Sequence, residues 1–200
     1  MKKQLWSLSA ALAALALLSG PAWAGSPTDY VRGILDRVMA IQNNPTLAGE
    51  ARQAIRAREI RAVIQNSFDF PLMAKNSLGP VFEGLSPGQR REFVTTFSFL
   101  FQDSYTRMVL NFLKQENIKY HGERRTNGQA QVDTSIVRTN ETIPVAYFLH
   151  PHSQGWLLCD VSVDGVSILE NYKSQFAQVI RSQSFEALLN KMKTQQRAIQ

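Results

Sequence analysis

The chain has 200 residues with 22 Lys and Arg, 16 Asp and Glu, 3 His and a single cysteine. That length fits one domain with a substantial core, and one cysteine excludes an internal disulfide, so packing alone must hold the fold. The net charge of +6 includes Lys2 and Lys3; without them 20 basic residues face 16 acidic ones, a net charge of +4, too modest for a nucleic-acid footprint.

Lys2 and Lys3 precede an apolar run from Leu5 to Leu18, then Ser19-Gly20-Pro21 and Ala22-Trp23-Ala24. This order predicts a signal peptide cleaved after Ala24. A run of about 14 residues is too short for a membrane span, which needs roughly 20. No cysteine follows it for lipidation. The expectation is an exported mature domain, residues 25–200, that acts as a monomer and spans no membrane.

Ser26-Pro27-Thr28-Asp29 starts the first helix, whose apolar positions Val31, Ile34, Leu35, Val38 and Ile41 follow the helical period until Asn43-Asn44-Pro45. A second helix is predicted from Leu47 to Asn66 and a short one from Pro71 to Leu78, closed by Gly79-Pro80. Ser86-Pro87-Gly88-Gln89 is a capping-box signature. It opens the longest helix, Pro87 to Gln115, with the stripe Phe93, Phe97, Leu100, Phe101, Tyr105, Met108 and Phe112. So many large side chains need an equally large surface to face.

Beyond residue 117 the pattern changes to period two, giving strands Ile118–Arg125, Gln129–Arg138, Thr142–His150 and Gly155–Val163. Thr126-Asn127-Gly128 is a hairpin signal, and connections this short make neighbours antiparallel. Helices Ile168–Arg181 and Ser184–Lys193 end the chain. The order predicts an α+β domain in which helices pack on a curved antiparallel sheet of about four strands and enclose an apolar cavity, an NTF2-like or cystatin-like cone. In a regular fourth strand, Trp156 and Leu158 share one face while Leu157, Cys159, Val161 and Val163 share the other. Both faces of the central strands are therefore partly apolar, so either helices cover both or one lines a cavity.

Catalytic signals are weak. His150-Pro151-His152 lacks a third and fourth metal ligand, and Gly165-Val166-Ser167 lacks the flanks of a nucleophile elbow. Cys159 reads as a small buried hydrophobe. Asp69 and Asp160, set in apolar stretches, read as caps or structural carboxylates, with an acid or base role as the alternative. The residues describe an apolar container better than an enzyme. No catalytic residue, metal or cofactor is expected.

Several landmarks recur in order along the mature chain: Phe68-Asp69-Phe70 with Met73-Ala74 and Leu78-Gly79; Ser86-Pro87 with Gln89-Arg90, Phe93, Phe97 and Tyr105; Trp156 with Asp160-Val161; Val163-Asp164-Gly165-Val166-Ser167; and Asn171-Tyr172-Lys173-Ser174-Gln175-Phe176. In these the chain resembles the MlaC-type (toluene-tolerance auxiliary) periplasmic phospholipid-binding proteins of Gram-negative bacteria. Cys159, where an aromatic is common, and Val81-Phe82, where a Trp is common, depart from that pattern but remain apolar. The resemblance implies a non-enzymatic periplasmic shuttle that carries phospholipid between outer and inner membranes and maintains outer-membrane lipid asymmetry. Its implied partners are an outer-membrane lipoprotein–porin complex and an inner-membrane ABC transporter with an MCE-domain subunit. A hopanoid is the alternative cargo; a pocket enzyme and a plain interaction module are the alternative functions. The expected pocket has Phe97, Phe101, Tyr105 and Met108 as helix wall. Ile143, Val145, Tyr147, Leu149 and Trp156 form the sheet wall, and Val166, Ile168, Tyr172 and Phe176 close one side.

Overall fold

The computed structural model describes residues 25–113, 116–153 and 155–199. The segment read as a signal peptide lies outside them. Helix α1, Pro27–Gln42, begins where the Asp29 N–H donates to the Ser26 hydroxyl at 3.0 Å. Its first turn is tied to the sheet, because the Thr28 N–H and hydroxyl both donate to the Glu123 carboxylate, at 3.0 and 2.8 Å.

The predicted second helix starts later than expected. Two 3-10 turns, Pro45–Leu47 and Glu50–Arg52, precede α2, Gln53–Gln65. Gly49 lies between them at φ +82°, a left-handed backbone that an α-helix cannot contain. Helix α3, Phe70–Leu78, is capped by Asp69, whose carboxylate accepts from the Leu72 N–H at 2.9 Å. A further short helix, α4 (Pro80–Gly84), follows the left-handed Gly79. The sequence signals mark Gly79-Pro80 as a stop, and the proline serves equally as the first residue of this new turn.

Helix α5, Pro87–Phe112, opens with the full capping box: the Gln89 N–H donates to the Ser86 hydroxyl and the Ser86 N–H donates to the Gln89 side chain. Five strands follow: β1 (Asn117–Thr126), β2 (Gln129–Val137), β3 (Thr142–His152), β4 (Gly155–Val163) and the two-residue β5 (Val166–Ser167). They form one antiparallel sheet in sequential order, with one short strand more than expected. Helices α6 (Ile168–Ser182) and α7 (Phe185–Ile199) complete the chain, α7 running six residues past its predicted end.

The alternation predicted for β4 is broken by a bulge. Phe148 pairs with Asp160 while Leu149 pairs with Leu158, so Cys159 is the extra residue. The slip of one position brings Trp156, Leu158 and Val161 onto the same buried surface, paired with Pro151, Leu149 and Tyr147. β2 continues that surface through Ala130, Val132, Thr134 and Ile136, all buried. The two-faced apolar pattern is thus one buried face read in a broken register. The other flank of β4 is covered by the chain before α3: the Asp69 N–H donates to the Leu158 carbonyl at 2.8 Å, and the Leu158 N–H to the Ser67 carbonyl at 2.9 Å.

Beyond the bulge, the Asp160 carboxylate accepts from the Val161 N–H at 2.7 Å, the Leu169 N–H at 3.0 Å and the Ser167 hydroxyl. Asp160 thereby pins the start of α6 to β4, and a carboxylate at a helix N-terminus also meets the positive end of the helix dipole. Asp160→Ala should cost about 1.5–3 kcal/mol, the range for hydrogen bonds to a charged group. Urea unfolding with an unchanged m-value would show it; a loss below about 0.5 kcal/mol, the range of an ordinary surface change, would deny Asp160 this role.

Candidate functional site

The stripe on α5 faces other rings. Phe93, Phe97, Phe101 and Tyr105 stack successively along the helix with centroids 6.0, 6.0 and 5.6 Å apart. Tyr172 on α6 meets Phe97 edge-on at 5.6 Å and Phe101 at 6.1 Å. Phe176 meets Phe93 at 5.8 Å, and Phe185 of α7 reaches Phe93 at 6.0 Å. From the opposite side Phe68 contacts Phe101 and Tyr105 at 5.3 and 5.4 Å.

Against this network lies a groove of about 670 Å³ between α5, α6 and α7. Phe97, Leu100, Phe101, Tyr105 and Met108 come from α5; Ile168, Tyr172, Phe176 and Val179 from α6; Leu188 and Met192 from α7. On α6 the apolar residues fall at spacings of four, four and three, which is one helix face. A second stripe beside them, Asn171, Gln175, Gln178 and Ser182, forms a polar edge, with Gln183, Lys191 and Gln195 continuing it. The groove is apolar within and polar at the mouth, the usual constitution of a ligand site.

Seven of the thirteen residues expected to form the pocket meet here: Phe97, Phe101, Tyr105, Met108, Ile168, Tyr172 and Phe176. The sheet residues lie elsewhere. Val145, Tyr147, Leu149 and Trp156 are buried in the core, Ile143 is half-buried beside it, and none of the five lines the groove. Val166 on β5 is 63% exposed. Sequence reasoning missed Leu100, Val179, Leu188 and Met192. The signal was present in the spacing of Ile168, Tyr172, Phe176 and Val179 and of Leu188 and Met192, but periodicity does not say which two helix faces meet.

Burial fixes the chemistry of the ionisable groups near the groove. It raises the Tyr105 phenol well above the ordinary tyrosine value, and the Asp160 charge raises it further. Burial also raises Tyr147, with Tyr105 and Tyr120 adding to the effect. Tyr172 is raised by burial too, despite its hydrogen bond to Ser104. These phenols stay neutral at physiological pH, so the inner wall carries no charge.

The carboxyls considered for acid–base work are held by structure. Asp69 caps α3 and lies 2.9 Å from His150 Nε2, while Asp160 is engaged at the start of α6. Among the described residues no group of three or more His, Cys, Asp or Glu side chains could hold a metal ion. His121 Nε2 lies 2.9 Å from the Ser135 hydroxyl, on the sheet. Cys159 sits at the bulge, where its thiol donates to the Phe148 carbonyl at 3.4 Å.

Fold and groove together define an α+β binding domain, with helices laid on one face of an antiparallel meander around a ring-lined groove. The profile of the MlaC protein family matches residues 32–194, and the chain belongs to that family. The intermembrane phospholipid transport system binding protein MlaC of Haemophilus influenzae is 24% identical over 142 residues, and the chain spans 66% of that protein's length, with 66% of this chain aligned. A phospholipid-binding protein from Ralstonia solanacearum, solved in complex with a phospholipid, superposes with a TM-score of 0.74 at 20% identity, covering 87% of this chain and 98% of that one. The α+β architecture expected from the order of elements is the one this structure shares.

Burial, with the Asp160 and Asp69 charges adding to it, raises the Cys159 thiol to about 11. The thiolate is the nucleophile, so at pH 8 alkylation should run roughly a hundredfold slower than for an unperturbed thiol, and its rate should climb as pH approaches 11. Stopped-flow modification of the native and the urea-unfolded protein measures this. Equal rates in the two states would show the thiol to be open and reactive.

Proposed function

We propose that this protein is a periplasmic carrier that holds a phospholipid by its acyl chains and moves it between the outer and inner membranes, maintaining outer-membrane lipid asymmetry. The observation that carries the reading is the ring-lined groove with an uncharged inner wall and a polar mouth, in a chain of the MlaC family. What the H. influenzae relative is named for and what the R. solanacearum protein binds support the same cargo. Among the described residues no helix is long and apolar enough to cross a membrane.

The physics explains why a carrier is needed. Taking two acyl chains through water exposes on the order of 30 methylenes at ~0.8 kcal/mol each, a prohibitive barrier for unassisted transfer. A groove that replaces that hydrocarbon contact removes most of it. Release does not require the whole amount, because a receiving membrane or transporter offers equivalent apolar surface. In this reading an outer-membrane lipoprotein–porin complex and an inner-membrane ABC transporter with an MCE-domain subunit load and unload the protein. No catalysed reaction is involved, and the phospholipid is cargo rather than cofactor.

On this reading the site has two walls. Phe97, Phe101, Tyr105, Met108, Ile168, Tyr172 and Phe176 contact the chains directly. Val145, Tyr147, Leu149 and Trp156, with half-buried Ile143 beside them, form a deeper wall that cargo reaches only when the rings in front of it part, while exposed Val166 stands outside it. Tyr105 is the link between the two, since it stacks on Phe101 in the groove and is near enough to Asp160 and Tyr147 on the sheet side to interact with them electrostatically.

Protein isolated from the periplasm should carry one phospholipid per chain, seen as a mass adduct by native mass spectrometry and identified by lipid extraction. A hopanoid adduct would change the cargo. A chain that acquires no lipid even from liposomes would end the carrier reading. Val179→Glu, which sets a charge on the half-buried groove wall, should abolish lipid retention while shifting the urea midpoint little, because an incompletely buried side chain contributes less to the core. Undiminished retention would remove this groove as the cargo site.

A further inference from the structure

The groove lining is almost without charge: among the described residues that form it, Lys191 is the one ionised side chain. It is exposed, and it makes no ion pair or hydrogen bond with any described residue. Its neighbours at three and four residues along α7, Ala187, Leu188, Thr194 and Gln195, are uncharged, so no acid stands where a helix would place a partner. Lys193 shows the contrasting arrangement, its ammonium held by Glu92.

Around Lys191 the mouth is made of neutral amides: Asn171, Gln175, Gln178, Gln183 and Gln195. A carboxamide offers two N–H donors and one carbonyl acceptor. One unpaired ammonium among amide donors, with no carboxylate to repel an anion, complements a single negative charge spread over several oxygens. That is a phosphodiester. A neutral diacyl lipid leaves the ammonium unpaired, and a cationic ligand meets it as a like charge. Among the described residues no acid lines the rim to await an ethanolamine or choline ammonium, so the mouth has no carboxylate with which to read the rest of a headgroup.

We propose that Lys191 is the phosphate anchor of the groove, making the protein select diacyl lipids that carry a phosphodiester over neutral ones with the same chains, whatever the headgroup amine. This rests on the phospholipid-carrier reading above and assigns the polar end of the same site. An exposed ammonium contributes modestly, so the anchor sets preference and orientation while the acyl chains supply most of the affinity.

The test uses the full mature chain, freed of lipid and incubated with dioleoylphosphatidylcholine vesicles containing a minor fraction of dioleoylglycerol. After re-isolation, the ratio of the two lipids bound is compared with their ratio in the vesicles. Zwitterionic vesicles keep the result free of any attraction of lysine to an anionic surface. Wild type should enrich phosphatidylcholine about two- to fivefold, the yield of one exposed charge pair. High salt should erode that enrichment. Lys191→Gln should abolish it and its salt dependence, and Lys191→Arg should restore it. Equal enrichment in wild type and Lys191→Gln would overturn the assignment and leave the carrier reading intact. Failure of the wild type to take up either lipid would overturn the carrier reading and this inference together.

Discussion

The ring stack along α5 is the contact on which the other parts depend. Phe93, Phe97, Phe101 and Tyr105 recur every four residues, so their rings form one ridge that no single neighbouring helix can cover. Three separate pieces of chain share it: α6 through Tyr172 and Phe176, the approach to α3 through Phe68 and Phe70, and α7 through Phe185. Tilted and edge-on pairs of this kind contribute about 0.5–1.5 kcal/mol each beyond the area they bury. The groove exists because α6 and α7 both lean on that ridge and do not close over it completely.

The sheet supplies the anchorage that lets the helices lean in this way. Its bulge at Cys159 turns β4 so that Leu158 can bond to Ser67 and Asp69 on one side, while Asp160 holds the first turn of α6. One local irregularity thus fixes both the segment that delivers Phe68 and Phe70 and the helix that delivers Tyr172 and Phe176. The two aspartates that sequence reasoning singles out owe their place to this architecture, since each caps a helix bearing part of the groove or its supporting rings. Both carboxylates hold the starts of helices that must be placed accurately.

The elements themselves were legible because capping boxes, an Asn-Gly turn and changes of period act over a few residues. Ser26 and Ser86 cap helices where the local pattern puts them, and the four long strands fall within two residues of their expected limits. What stayed hidden depended on non-local pairing. No local signal announces the slip at Cys159, so Trp156 and Leu158 were set on the wrong face relative to Val161. The pocket residues divide along the same line. Those on α5 and α6 meet in the groove because a helix stripe is a one-dimensional pattern, whereas placing Val145, Tyr147 or Leu149 requires knowing which rings stand between the strand and the opening. Gly49 shows the same limit in small, since a helical period continued past it reads well until the backbone turns left-handed.

A carrier faces a conflict that the ring network addresses. A permanently open apolar cavity would leave a large exposed hydrophobic patch whenever the protein was empty, inviting aggregation. A cavity filled by a rigid core would exclude the cargo. Here Tyr172 and Phe176 already contact Phe97 and Phe101, so the stripe on α5 is covered by rings of the same molecule. On the proposed function, loading exchanges ring–ring contacts for ring–acyl contacts, and the net change is the difference between two apolar environments. That difference is far smaller than the transfer of a whole lipid from water. A small net change is what allows a carrier to take its cargo from one membrane and release it to another, because affinity beyond what solubilises the lipid would oppose delivery. The neutral phenols of Tyr105 and Tyr172 serve the same end, since neither adds a buried charge that loading would have to accommodate.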